Sequence, residues 1–276
     1  MSAPLPKTWV QLFPFDLFGS SGTAAGAELL GDAIREMLDD NRRETIPTRS
    51  VAYQSHIKIH EQLFETIDDL QQWRGIGKRL ARKRFQTNDR LLWITGNHLG
   101  ALPVLESLPP QTTVFQWDAH LDIYTLHDST PELSHGNFLL ELPVGTPEII
   151  QIGHRDLFLS QEMVATRFHE RYPAPEMHLH GEQCLHRLRA ASQRAEKIWV
   201  DIDCDAIDPA TFPAVLQPQP FGLSSGQLWQ SLGCLDWNKV IGISLSEFAP
   251  ARDQNDQSLA LLIWLIEAIF LLWYEK

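Results

Sequence analysis

Six short runs of aliphatic, β-branched and aromatic residues return along the chain, at 9–13, 91–95, 113–117, 148–152, 197–202 and 239–245. Helix-like patterns separate them, near 26–39, 61–84, 98–107, 160–169, 224–233 and 255–272. Runs this apolar read as strands buried on both faces, and helices of this length between them predict βαβ crossovers. The expected fold is a three-layer α/β/α arrangement with a mainly parallel central sheet, a single domain over residues 1–276. No internal repeat or linker interrupts it, and the proline-rich stretch 212–222 reads as a loop.

Four of the runs end in groups that a buried sheet does not tolerate uncompensated. Asn97-His98 follows 91–95, Asp118-Ala119-His120-Leu121-Asp122 follows 113–117, Asp203-Cys204-Asp205 follows 197–202, and Glu247 follows 239–245. Residues two apart on a strand point to the same side, so Asp118, His120 and Asp122 leave one strand end together, as do Asp203 and Asp205. Open α/β sheets bind their ligands beyond the carboxyl ends of the strands, where all four clusters fall. So many buried acids need cations. Two histidines and four aspartates form a nitrogen–oxygen set without thiolate, which suits Mn²⁺ best, and two ions about 3.5–4 Å apart can activate a shared water. The expected cofactor is two Mn²⁺ per chain.

Composition narrows the partners. A formal net charge of −12 excludes a phosphate track for nucleic acid. The apolar stretch 259–272 contains Glu267 and is shorter than the ~20 residues of a membrane span, so it reads as a buried terminal helix. Cys184, Cys204 and Cys234 are odd in number and widely spaced, which predicts a reducing, cytoplasmic setting, and no secretory signal is apparent. The basic stretch 74–84 reads as a solvated helix face, the functional alternative being an acidic leader peptide docked on it. His178-Leu179-His180 lacks acidic partners nearby and reads as structural.

The ordered motifs Gly96-Asn97-His98, Asp118-Ala119-His120-Leu121-Asp122, Ser134-His135-Gly136, Asp203-Cys204-Asp205-Ala206-Ile207-Asp208-Pro209 and Ser246-Glu247 resemble the arginase (ureohydrolase) superfamily. The resemblance implies one metal held by His98, Asp118, Asp122 and Asp203, and another by Asp118, His120, Asp203 and Asp205. It implies catalytic roles for His135 as proton shuttle, Asp122 as stabiliser of the intermediate, and Glu247 as the carboxylate facing the guanidinium, with Asp208 orienting ligands from behind. The implied reaction is hydrolysis of a guanidino group to an amine and urea. The family often forms trimers or hexamers; the sequence leaves a homo-oligomer open.

Departures from the family pattern bear on substrate. The first motif carries Asn97 and Leu99 where the family has Asp and Ser, which predicts weaker metal binding. The Gly-Thr-Gly-Thr-Pro loop is replaced by Ala214-Val215-Leu216-Gln217-Pro218-Gln219-Pro220. Positions that bind the charges of free arginine are here Tyr124, Ser129, Pro131 and Phe158, so a zwitterion would find few partners. The expected substrate contacts are Glu247, His135, Tyr124, Ser129 and Phe158. This pattern looks like the atypical peptide arginases, which convert arginine to ornithine in precursor peptides of natural-product pathways. Agmatine or another small guanidino compound is the alternative, and a non-catalytic guanidino-binding protein on the same scaffold is the rival of another class.

Overall fold

The structure, a computed structural model, describes residues 5–125 and 132–275. Ser129 and Pro131 lie outside the described residues. Eight strands form one sheet: β1 Thr8–Phe13, β2 Ile57–Glu61, β3 Arg90–Thr95, β4 Thr112–Trp117, β5 Glu148–Ile152, β6 Glu170–Tyr172, β7 Lys197–Asp203 and β8 Val240–Ser246. Their spatial order is β2-β1-β3-β8-β7-β4-β5-β6, and every neighbouring pair is parallel. The α-helices are α1 Ala24–Arg43, α2 Ile67–Gln71, α3 Trp73–Phe85, α4 Leu102–Leu105, α5 Gln161–Arg167, α6 Ala174–Leu179, α7 Gly181–Arg194, α8 Ser225–Leu232 and α9 Gln257–Tyr274.

Period-two alternation along buried strands supplies both layers of core. On β3, Leu92 and Ile94 join a cluster with Leu30 and Ile34 of α1, Leu188 of α7 and Ile266 of α9. Leu91 and Trp93 face the other way, toward Trp73 and Ala81 of α3 and Leu102 of α4. The sheet is therefore dry on both faces, which is why its strands read as continuous apolar runs.

The 61–84 helix expected from sequence is corrected. Ile57–Glu61 is an edge strand beside β1, and the helical part is broken into α2 and α3. Thr66 and Asp69 form a capping box that starts α2 afresh, so the chain cannot run helically through it. The 98–107 segment is likewise a 3₁₀ turn, His98–Ala101, followed by the single turn of α4. In the basic stretch, Arg74 pairs with Glu106 and Glu141, Lys78 pairs with Glu106, and Arg84 stacks 3.6 Å above the Trp9 ring. Those three cations serve the fold.

Helix α9 is long and apolar enough to cross a membrane by length and composition. Leu262, Leu265, Ile266, Ile269 and Phe270 bury one face of it against the sheet and α1. Its acid, Glu267, accepts a 2.6 Å hydrogen bond from Tyr53 Oη, and Tyr274 Oη bonds Thr8 Oγ1 at 2.8 Å. These polar ties fix the helix in the register of a core element. The three cysteines are buried and free.

Candidate metal centre and substrate cleft

Four strands that lie side by side in the sheet, β3, β8, β7 and β4, deliver the polar clusters to one rim. His98 follows β3, Glu247 follows β8, Asp203 ends β7 with Asp205 just beyond, and Asp118, His120 and Asp122 follow β4. His98 Nδ1 lies 3.2 Å from Asp118 Oδ2, 2.9 Å from Asp122 Oδ2 and 3.2 Å from Asp203 Oδ2. His120 Nδ1 lies 2.9 Å from Asp205 Oδ2 and 3.8 Å from Asp118 Oδ1. Two groups able to hold an ion result, His98–Asp118–Asp203 and Asp118–His120–Asp205, with Asp118 common to both. All six residues proposed as ligands from sequence are brought together.

A cation fits this donor set on two grounds. His98 Nδ1 and Asp118 Oδ2 are buried, face each other and have no hydrogen-bond partner, an arrangement that water-free protein seldom leaves uncompensated. The protons also crowd in where positive charge is missing. Burial, then repulsion from Asp122, pushes the Asp118 carboxyl up to about 7, and burial with the neighbouring Asp205 raises Asp203 well above the carboxylate range. Burial opposes a charge on His120, yet Asp205 raises it to about 10 and is itself lowered to about 2, chiefly by His120 overcoming its own burial. His98 is likewise raised well above its usual value, burial being outweighed by Asp201, Asp118 and Asp122. Metals would displace those protons.

Asp201 is the functional residue that sequence reading missed. It lies on β7 two residues before Asp203 and hence on the same side. His98 Nε2–H donates to its Oδ2 at 3.0 Å, Gln116 Nε2 donates at 3.1 Å, and Ser244 Oγ donates to Oδ1. Gln116 and Ser244 are its register partners on β4 and β8. This buried row fixes the His98 ring so that Nδ1 turns to the acids, the outer support that metal-bound imidazoles use. The signal was available in the alternation Asp201-Asp203-Asp205. Asp208 does not orient ligands: its carboxylate accepts from the N–H groups of Ala210 and Gly222 and so ties the 208–222 loop together.

Two site acids occupy strained backbone. Asp122 has φ 48° and Glu247 φ 64°, left-handed conformations that non-glycine residues uncommonly adopt. Glu247 is 4% exposed; its Oε1 accepts from the backbone N–H of His98 at 3.0 Å and lies 3.2 Å from His135 Nδ1. Burial opposes protonation of His135, but the bond to Glu247 wins and raises it. His135 N donates to Phe18 O, and a Cβ on Gly19 would come within 2.7 Å of both the His135 ring and Asn97. Only glycine lets the 19–26 stretch approach the rim so closely.

The enclosed space here is about 70 Å³, lined by Ser20, His120, Tyr124, His135, Gln217 and Glu247 above the ligand floor. A far larger cavity, about 800 Å³, opens at the opposite ends of the strands, near Thr112 and Glu148, where the described residues form no such ligand group. Convergent chemistry outweighs volume in choosing between them. Tyr124 lines the cleft as expected, its hydroxyl donating to Asp156 Oδ2 at 3.0 Å. Phe158 does not: Asp156 Oδ1 accepts from the N–H groups of Phe158 and Leu159, and this turn leaves the Phe158 ring 73% exposed beyond the cleft.

The comparisons with known proteins agree with this geometry. A model of the Arginase family matches residues 7–271. An agmatinase of Chromobacterium violaceum is 24% identical over 187 residues, 64% of this chain and 55% of that protein. The mitochondrial arginase 1 of Arabidopsis thaliana is 26% identical over 179 residues, 63% of this chain and 52% of that protein. The chain thus spans about half the length of the curated relatives it matches. Among solved structures, an arginase from Bacillus subtilis superposes with a TM-score of 0.78 at 17% identity, covering 96% of this chain and 98% of that one. A hypothetical agmatinase from Burkholderia thailandensis gives 0.77 at 20% identity, covering 97% and 85%. With the family matched from end to end of the sheet, the chain belongs to the arginase family.

Proposed function

We propose that the chain is a ureohydrolase with two Mn²⁺ ions, hydrolysing a guanidino group to an amine and urea. The observation that carries this reading is the pair of orphaned ligand atoms, His98 Nδ1 and Asp118 Oδ2, enclosed by Asp122, Asp203 and, beyond Asp118, His120 and Asp205. When bound, the metals supply Lewis acidity and make water acidic enough to serve as nucleophile near neutral pH. The chain's own residues do the rest. Glu247 offers its carboxylate to the planar donor fork of the guanidinium, and Tyr124 walls the cleft. As the carbon–nitrogen bond breaks, His135 gives a proton to the leaving amine, a role suited to an imidazole already hydrogen-bonded to an acid. Asp122 and the backbone N–H of His98 set the charge around the reacting carbon by fixing where Glu247 and the ligands stand.

For the substrate, we place the guanidino group on an arginine inside a peptide, giving ornithine. Phe158 stands at the position where the family pattern places an acid for the α-ammonium, and the neighbouring Asp156 carboxylate is engaged by Tyr124 and two backbone N–H groups. Phe18, 56% exposed, lies beside the rim through the bond from His135 N to its carbonyl and would offer an apolar surface to a residue flanking the arginine. The second reading, agmatine, is favoured by the agmatinase among the relatives. Incubating the Mn²⁺-loaded protein with free arginine, agmatine and an internal-arginine peptide separates them. The peptide should lose the mass of one cyanamide unit. An unchanged peptide beside agmatine that yields urea would replace the peptide reading with the agmatine one, and no urea from any of the three would leave a guanidino-binding protein.

A further inference from the structure

His135 is held at both ring nitrogens. Nδ1 lies 3.2 Å from Glu247 Oε1 and 3.5 Å from Ser20 Oγ, while Nε2 lies 3.4 Å from the amide nitrogen of Gln217. Gln217 belongs to the loop in which this chain departs from the family motif, and it lines the same small cavity as the ring. The loop is firmly placed. Pro218 and Pro220 restrict the residues before them, Gln217 and Gln219, to extended backbone. Ala249 N donates to Ala214 O at 2.8 Å, closing one end, and Gly222 N donates to Asp208 Oδ2 at 2.7 Å, closing the other. Between them the buried Arg155 Nη2 donates to Gln219 O at 3.1 Å and to Asp205 O at 2.8 Å. One guanidinium thus ties the loop to the turn that carries a metal-ligand position.

A carboxamide suits a partner whose proton comes and goes. Its NH₂ donates to the lone pair of a neutral imidazole; turned over, its oxygen accepts from an imidazolium. We propose that Gln217 is a positioning residue for His135, its carboxamide holding the outer ring nitrogen toward the cleft in both protonation states. The proposal deepens the hydrolase reading and rests on it. The ionisable groups facing the ring are Glu247 after β8 and Asp122 and His120 after β4, so Gln217 adds a partner without adding charge. The hydroxyl of Ser20 supports the inner nitrogen and leaves the outer one to Gln217.

Two near-isosteric variants test this. Gln217→Leu can neither donate nor accept, and Gln217→Glu can only accept. In Mn²⁺-loaded protein Gln217→Leu should lower kcat roughly tenfold with KM little changed, a fraction of what a proton-transfer group itself contributes. Gln217→Glu should keep more activity but move the His135-dependent limb of the kcat–pH profile upward by about one unit, as an added anion favours the imidazolium. Nitrogen NMR of the His135 ring in resting, Zn²⁺-filled protein should report a changed tautomer balance in Gln217→Leu and a more protonated ring in Gln217→Glu. Ring spectra identical in the three proteins would overturn the proposal. The spectra need no turnover, so a protein that hydrolyses no guanidino compound would defeat the hydrolase reading while the ring contact was still decided.

Discussion

The floor and the rim of the cleft are built by opposite means. The floor is strand ends: His98, Asp118, Asp203 and Asp205 are at most 4% exposed and stand at the ends of β3, β4 and β7 in one parallel sheet. Its geometry follows from the pleat, and its energetics from crowding acids that only a cation relieves. The rim is loops: Ser20 and Gln217 reach His135 from segments 115 and 82 residues away, and hydrogen bonds between loops hold them. The floor fixes what chemistry is available, and the rim fixes what that chemistry acts on. Strand ends can therefore keep their acids and histidines while a rim loop changes, as the 214–220 stretch does against the family motif.

The sharpest way to break this contrast is to remove charge from the floor. Asp118→Asn should abolish binding of both metals, because Asp118 belongs to both groups, and lower guanidino hydrolysis by at least about three orders of magnitude. Without metal the sign reverses for stability. A carboxyl raised to about 7 contributes stability below the ordinary carboxylate value and loses it as pH climbs to about 7, and His120, raised to about 10, loses its contribution between its ordinary value and about 10. Metal-free protein should therefore melt at progressively lower temperature from about pH 5 to pH 9, with Asp118→Asn flattening the lower part of that slope. Mn²⁺ should bind more tightly as pH rises over the same window, since it displaces the protons. Melting curves in chelator across this range check it; a flat wild-type profile that the substitution leaves alone would refute the crowded-floor account.

The same contrast explains what the amino-acid sequence made legible. The six central strands announce themselves as apolar runs, and the observed bounds differ from the runs by a residue or so. Strand β2 did not, because it is an edge strand whose alternate residues Lys58 and His60 are exposed and dilute the apolar signal. Strand β6 has three residues, too few for any period. Helix α7 buries the narrow stripe Cys184, Leu188 and Ala191 beneath a polar, arginine-rich surface and so gives no apolar run to read. In the site, ligands two apart on a strand end were readable from spacing alone. Asp201 obeyed the same spacing but sat inside the strand, and the Gln217–His135 contact follows no period at all.

A smaller effect is expected one layer below the floor. Asp201→Asn keeps shape but turns an acceptor that receives from His98, Gln116 and Ser244 into a group with its own NH₂. Mn²⁺ affinity at the His98 group should fall roughly 10–100-fold, the usual cost of removing a ligand's outer partner, while the His120 group keeps its ion. Titration calorimetry with Mn²⁺ should resolve one weakened and one preserved event. Two unchanged events would mean that the row Gln116–Asp201–Ser244 serves the sheet and not the metal.

The smallest expected effect concerns Asn97, where the resemblance and the structure part company. From the family pattern, restoring Asp there should add a helpful negative charge and tighten metal binding. The structure has Asn97 fully buried, with its Nδ2 donating to Leu17 O at 3.0 Å and its backbone N–H donating to Phe15 O at 3.0 Å. The side chain is a peg for the 15–20 loop, whose Phe18 O in turn accepts from His135 N. A carboxylate at 97 would set an oxygen against the Leu17 carbonyl and desolvate a charge with no donor in reach, its other oxygen falling where Asn97 Oδ1 already lacks a partner. Asn97→Asp should therefore cost about 1–3 kcal/mol, seen as a melting temperature lower by a few degrees, with Mn²⁺ affinity unimproved. Tighter Mn²⁺ binding at unchanged stability would show that the charge matters more here than the peg, and that the rim is less independent of the floor than its hydrogen bonds make it.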